Sequence, residues 1–336
     1  MPSRDERNVK KMKAQMLLGP SALELNDIPV PDCGEDEVLI KIKRACICNG
    51  SDPALLAGAH LDKYPVVFGH EACGEIVERG RNVERFKIGD KVSWWFTMGA
   101  FAEYVCVNPM KVAMAILPDS ISYDEGSLFE LVAAASRAVE SAEIKTGSKV
   151  LIIGLGPSGL IMSQLAKNLG ASEVVGWDLF EMRRRTGLKF GCRKVLDNGL
   201  DDVTQKTLDE VSEVNVVIDA FPDDILPNMP TLDYAIKVLK CYGKIVSYGH
   251  PRNRRILDIY EFQKKCIQMS GPENRIDRIK QLIERGVDFV MQGKLNLKSL
   301  ISGRVSLEKV QEGIDLVVRY PDKYIKILVD INTEVE

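Results

Sequence analysis

Two short stretches hold the residues best suited to chemistry. The first is CICNGSD, Cys46 to Asp52, followed by a Gly-His-Glu at Gly69 to Glu71. Cys48 in that setting is either a metal ligand or a buried small thiol beside a turn, and the residues alone leave both readings open. The second is VLIIGLGPSGL, Val150 to Leu160: an apolar strand, a G-x-G-x-x-G turn and the start of a helix. In that context Gly154 permits a tight turn, Gly156 lets the backbone approach a pyrophosphate, and Gly159 lets the helix pack close on the strand. The helix N-terminus, opened by Pro157 and Ser158, offers free N–H groups and a partial positive charge to that pyrophosphate. Asp178 ends the next strand, VVGWD. A carboxylate there bonds ribose hydroxyls and repels a 2′-phosphate, which favours NAD over NADP. Arg183 to Arg185 follow, and they read either as partners for a phosphate or as a solvated helix face.

The elements that must position these groups come in two textures. Residues 13 to about 115 hold short β-like segments cut by Gly, Pro and Asp. In Glu37 to Lys43, Val38, Ile40 and Ile42 alternate with Leu39, Lys41 and Lys43, the period-two pattern of a strand with one buried face. Gly89-Asp90 and Asn108-Pro109 are turn signals. This part is expected to be a largely antiparallel, partly closed β domain. From about residue 123, apolar strands at 149–153, 174–177, 214–219 and 244–247 alternate with helices such as 158–169. Such alternation implies parallel pairing through right-handed crossovers. After about residue 272 come helices near 275–285 and 307–318 and a strand at 325–330. The expected organisation is a β domain from 13–122 and 273–336, an α/β domain from 123–272, and a solvated extension at 1–12.

A chain of 336 residues suits two domains. Its 45% apolar and 28% charged content is that of a globular protein, and a net charge of −3 argues for neither a nucleic-acid nor a membrane partner. No apolar run is long enough for a transmembrane helix, and MPSRDERNVKKM lacks the apolar centre of a secretory leader. Eight scattered cysteines in that setting are expected to be reduced thiols of a cytoplasmic protein, not a disulfide framework.

The order of these signals resembles the medium-chain dehydrogenase/reductase superfamily, and within it the zinc-dependent alcohol and polyol dehydrogenases of the sorbitol type. The resemblance spans nearly the whole chain. It rests on MKAQ at Met12, IPVP at Ile28, GHEACG at Gly69, GDKV at Gly89 and GAFAEY at Gly99. It implies a GroES-like β domain combined with a Rossmann domain, the doubly wound parallel form of the α/β class, with the active site in the cleft between them. It carries a catalytic zinc onto Cys48, His70 and Glu130, although Leu131 replaces the Pro of the sorbitol-type Glu-Pro-Leu. Asp52 becomes the partner that fixes the His70 tautomer, and Glu71 sits near the metal.

Two departures matter. The family usually reads Cys-x-Ser/Thr-Asp, and Cys48 to Asp52 is one residue longer. Aligned without a gap, Asn49 takes the ligand position, where it is a poor zinc ligand. With a one-residue insertion Cys48 keeps the position and Gly50 makes the bulge cheap, which is the preferred reading. Second, SWWFTM, Ser93 to Met98, fills the space of a four-cysteine lobe, so no structural zinc is expected. Its aromatics either line the substrate pocket or pack under a shortened loop.

By the same resemblance, zinc polarises the oxygen of a secondary alcohol (a polyol, sugar or amino-alcohol) and the hydride passes to NAD. Ser51 accepts the alcohol proton. Ala54 stands where many relatives place a histidine that completes the relay, and His60 is a candidate substitute. Two other readings are a zinc-free quinone or enoyl reductase of the same superfamily and a nucleotide-binding protein that does no chemistry. Cys48, His70 and Glu130 together argue against both. The expected partners are a small alcohol or carbonyl substrate and, by resemblance, a second copy or three more, in a homodimer or homotetramer that meets at sheet edges.

Overall fold

The computed structural model describes residues 10–59, 61–95, 97–197, 211, 213–221, 231–249 and 254–332. It divides into two compact units, the first made of Met1–Glu130, Ile301–Arg319 and Lys326–Glu336, the second of Leu131–Leu300 and Tyr320–Ile325.

Unit 1 opens with β1 (Lys11–Gly19), β2 (Ala22–Pro29), β3 (Val38–Cys46), β4 (Val66–Val67), β5 (Glu71–Arg79), β6 (Lys91–Trp94), β7 (Tyr104–Val107) and β8 (Met114–Ile116). β1 takes in Lys11 and Met12, which the charge pattern assigns to the extension. Met12 is buried with Ala14 and Ala102, so the apolar contact recruits it into the strand. Val38, Ile40 and Ile42 are buried as the alternation predicts. Leu39 is buried with them, at the irregularity where the pairing of β3 with β5 shifts register between Leu39 and Ile40, which breaks the strict alternation.

Unit 2 holds β9 (Lys149–Ile153), β10 (Glu173–Asp178), β11 (Lys194–Asp197), β12 (Val214–Asp219), β13 (Leu239–Ser247) and β14 (Gln268–Ser270). All pair in parallel, in the order β11-β10-β9-β12-β13-β14. That is the doubly wound order, which reverses direction between β9 and β12. Leu151, Val175, Trp177, Val217 and Ile245 are among the apolar residues that pack in its core. The helix Ile276–Met291 belongs to this unit, although the sequence texture groups it with the β domain. Ion pairs fix it there: Arg278 Nε donates to Glu140 Oε1 at 2.9 Å and Arg285 Nη2 lies 3.1 Å from Glu140 Oε2, on the helix Phe129–Ala142.

The tail then returns to unit 1 as β15 (Ile301–Ser306) and β16 (Lys326–Asp330). β16 pairs antiparallel with the end of β3, Leu328 opposite Cys46, and the sheet runs β15-β16-β3-β5-β6-β8 with β7 also on β3. Four charges reinforce the join. Arg44 Nε lies 2.8 Å from Asp124 Oδ1 and 3.2 Å from Asp330 Oδ1, and Arg304 Nη1 lies 2.7 Å from Asp330 Oδ1 while its Nη2 pairs with Asp124. Among the described residues, no helix is long and apolar enough to cross a membrane.

Candidate functional site

CICNGSD is built on the end of β3. Cys46 is fully buried and its thiol donates to the Ile327 carbonyl at 3.4 Å; burial pushes that thiol well up, so it behaves as a small core residue. Cys48 lies just beyond the strand, half-buried. The loop closes on itself. Asp52 N donates to the Cys48 carbonyl at 3.2 Å, Cys48 N donates to Asp52 Oδ2 at 2.8 Å, and Ser51 N donates to Cys48 Sγ at 3.5 Å. The additional residue is thereby absorbed as one helical turn leading into the helix Ser51–Leu56. Gly50 has φ −94° and ψ −54°, a conformation open to any residue. The bonds between Cys48 and Asp52, not the freedom of a glycine, accommodate the longer loop.

His70 enters from the other side, at the start of β5. Gly69 before it has φ +82°, and a Cβ there would lie 2.6 Å from the Phe101 ring, so the position needs glycine. Its carbonyl accepts from Gly99 N at 2.9 Å and Ala100 N at 3.0 Å, which locks the GAFAEY segment to Gly-His-Glu. The His70 ring is 2% exposed with Nδ1 3.3 Å from Asp52 Oδ1. Burial opposes the imidazolium, but the Asp52 carboxylate outweighs it and holds the His70 pKa well above its ordinary value. With Nδ1 turned toward Asp52, Nε2 is the ring nitrogen suited to ligate a metal beside Cys48.

The ligand atoms of Cys48, His70 and Glu71 lie within 4.8 Å of one another. Thiolate, imidazole and carboxylate together suit zinc, with a fourth position left for water or substrate. Glu71 carries the test of fit: its Oε2 accepts from Lys326 Nζ at 2.6 Å, whereas its Oε1 is buried and has no partner among the described residues, an acceptor a cation would satisfy. Lys326, at the start of β16, is buried and also donates to the Ile47 carbonyl at 2.6 Å. Burial opposes its ammonium, but Cys46 and Glu71 beside it outweigh that and hold its pKa above the usual range. Lys326 escaped the sequence reading, yet a signal was present: one lysine inside the apolar run Ile325 to Val329 requires a buried partner.

Glu130 is the second residue of the helix Phe129–Ala142 and is buried, but among the described residues the cluster of ligand atoms does not include it. Ser51 is the first residue of its helix, with its amide on the Cys48 sulfur. His60 and Phe96 lie outside the described residues. Trp94 is fully buried at the end of β6 and packs in the core, while Trp95 is half-buried.

In unit 2 the glycine turn follows β9. Gly154 has φ +93°, and a Cβ on Gly159 would lie 1.9 Å from the Gly154 carbonyl oxygen, so turn and helix cannot close with other residues. At Gly156 the space is open, with Arg183 Nη1 the nearest group at 3.9 Å. Pro157 and Ser158 open the helix Pro157–Asn168. Asp178 is buried, and its Oδ2 accepts from Leu155 N at 2.8 Å while Oδ1 accepts from Phe180 N at 2.8 Å. Burial raises its pKa despite the lowering influence of Arg183. Besides any contact with a ribose, the carboxylate therefore braces the turn.

The arginine run is not a solvated face. Arg183 is buried, 3.9 Å from Asp178 Oδ2, and its Nε has no hydrogen-bond partner among the described residues. Arg184 donates to the Asp178 and Leu179 carbonyls at 2.9 and 2.8 Å, and Arg185 alone stands at the surface, paired with Glu181. The pull of the Asp178 carboxylate and backbone carbonyls overrides the helical polar pattern.

A β unit carrying a Cys-His-Glu cluster and a separate doubly wound unit with a dinucleotide turn define a zinc-type dehydrogenase. Residues 34–119 match the alcohol dehydrogenase GroES-like domain, and residues 157–288 match the zinc-binding dehydrogenase family. The chain belongs to the zinc-type medium-chain dehydrogenase/reductase superfamily. Sorbitol dehydrogenase of Bacillus subtilis strain 168 is 26% identical over 355 residues, covering 95% of this chain and 97% of that protein. An L-threonine 3-dehydrogenase of Escherichia coli O1:K1 is 27% identical over 347 residues, covering 91% and 95%. A zinc-binding dehydrogenase of Sinorhizobium meliloti 1021, crystallised with NADP, shares the fold with a TM-score of 0.83 at 23% identity, over 96% of this chain and 99% of that one.

Proposed function

We propose that this chain is a zinc-dependent oxidoreductase that transfers a hydride between a small secondary alcohol (a polyol, sugar or amino-alcohol) and NAD, with one catalytic zinc per chain. The observation that carries this reading is the convergence of Cys48, His70 and the unpartnered Glu71 Oε1. Zinc held there supplies Lewis-acid chemistry at the substrate oxygen, and the nicotinamide supplies the hydride chemistry. Asp52 orients His70, Lys326 anchors Glu71, and Ser51 Oγ takes the proton of the substrate alcohol. Glu130 is a further carboxylate for the metal, as the sorbitol-type relatives suggest. The Bacillus and Escherichia relatives are named for sorbitol, a polyol, and L-threonine, whose secondary hydroxyl stands beside an amino group, which supports the substrate class.

Asp178 supports NAD, and buried Arg183 makes NADP the necessary comparison. An assembly of identical subunits is supported by exposed apolar groups in unit 2, Tyr242, Ile259, Tyr260 and Met269, the last on the edge strand β14. Eight free cysteines support a cytoplasmic setting. The test is elemental analysis with a panel of polyols and amino-alcohols against NAD and NADP. The expected result is about one zinc per chain and turnover with NAD. A chain that takes up no zinc when it is supplied, yet reduces quinones or enones, would replace this reading.

A further inference from the structure

One carboxamide beside the metal cluster has neither its donor nor its acceptor satisfied. Asn49 directly follows Cys48, and its Nδ2 and Oδ1 are both buried with no hydrogen-bond partner among the described residues. A buried polar atom left unpaired costs stability, and here both halves of one amide are unpaired. The loop itself does not use the group. Its turn is held by the bonds between Cys48 and Asp52, in which the Asn49 side chain takes no part.

The turn also fixes where this amide stands. Residues three and four apart on a helical turn are neighbours, so Asn49 and Cys48 both flank Asp52. Asp52 Oδ1 in turn lies 3.3 Å from His70 Nδ1. Asn49 therefore borders the cluster of Cys48, His70 and Glu71 on the face that carries the His70 partner. Cys48 before it and Ser51 after it are half-buried, so a small ligand reaches this end of the loop. An amide oxygen is a harder donor than the thiolate and imidazole that suit zinc. A hydroxyl is the better match: it accepts from Nδ2 and donates to Oδ1, satisfying both halves of the carboxamide at once.

We propose that Asn49 is a specificity-determining residue of this site: its carboxamide binds a second hydroxyl of the substrate, on the carbon next to the one that is oxidised. The inference rests on the zinc-dehydrogenase reading above and narrows its substrate class to vicinal diol units, as in polyols and sugars. An ammonium group only donates, so an amino-alcohol satisfies Oδ1 and leaves Nδ2 unpaired. A simple secondary alcohol leaves both unpaired. A site built to hydrogen-bond a substrate hydroxyl rejects the analogue that lacks it, because its own buried polar groups then stay unpaired.

The test compares kcat/KM of the zinc-loaded chain for propylene glycol and isopropanol, which differ by a single hydroxyl, in the wild type, Asn49→Ala and Asn49→Ser. Zinc content and the thermal midpoint are measured on the same samples. The wild type is expected to prefer the diol, and Asn49→Ala to lose about tenfold of that preference. Asn49→Ser keeps a donor and an acceptor and should recover part of it. Zinc content should be unchanged. The midpoint of the ligand-free Asn49→Ala chain should equal or exceed that of the wild type, since the unpaired amide is gone. An unchanged preference in Asn49→Ala, or a lowered midpoint, overturns the inference. Loss of zinc overturns it in favour of Asn49 as a metal ligand. A wild type that oxidises alcohols without preferring the diol overturns the inference alone, whereas one that takes up no zinc and oxidises no alcohol overturns the underlying reading and the inference with it.

Discussion

Lys326 Nζ lies 2.6 Å from Glu71 Oε2, with the side chains 1% and 0% exposed. A strand from the end of the chain thus delivers the counter-charge for a carboxylate 255 residues earlier, beside the candidate metal ligands. Removing one member of a buried pair leaves the other charge uncompensated, at a cost of about 3–5 kcal/mol. Lys326→Met is expected to lose that much stability in denaturant unfolding. Adding Glu71→Gln should recover a large part of it, since the orphaned charge is then gone. A Lys326→Met variant as stable as the wild type would show that the pair does not hold the sheet to the site.

The ligand set can be separated residue by residue through zinc content. Cys48→Ala and His70→Ala should purify without zinc. Asp52→Asn removes the carboxylate that orients His70 and should weaken zinc binding about 10–100-fold, measured by competition with a chelator. Glu71→Gln and Glu130→Gln decide the carboxylate ligand: the one that loses zinc holds it. Retention of full zinc in both Cys48→Ala and His70→Ala would rule out this cluster as the metal site.

Asp124 should shape the acid limb of the stability curve. Burial opposes its carboxylate, but Arg304 and Arg44 outweigh that and hold its pKa below the ordinary value. A carboxylate depressed on folding adds stability that is present above its unfolded pKa of about 4 and is lost as pH falls through the lower folded value. Asp124→Asn is therefore expected to be less stable than the wild type at pH 7, with the difference shrinking below about pH 4. Unfolding curves collected across that range check it; a constant difference at every pH would refute the assignment to this ion-pair group.

β3, β9, β10, β12, the end of β13, β16 and the glycine turn were legible because their signals are local. Val38, Ile40 and Ile42 state a buried face by spacing alone, and Gly154 and Gly159 state a turn that a side chain would block. The approach of Cys48 to His70 was legible only through resemblance, since nothing local ties a loop after β3 to the start of β5. Arg183 shows the limit from the other direction. Its neighbours in sequence suggest a polar helix face, but the carboxylate that draws it inward comes from the preceding strand.

By itself, the sequence determined the parallel sheet with its dinucleotide turn, the β texture of the first unit, and which residue types were available for a metal. Periodicity and backbone freedom act over a few residues, and a reader of the chain can follow them. Tertiary structure decided that Glu71 stands with Cys48 and His70, that Lys326 balances it, and that Tyr248 meets Ser158. Each of those is a contact between elements far apart in the chain, set by strand order and by the need of buried charges and hydroxyls for partners.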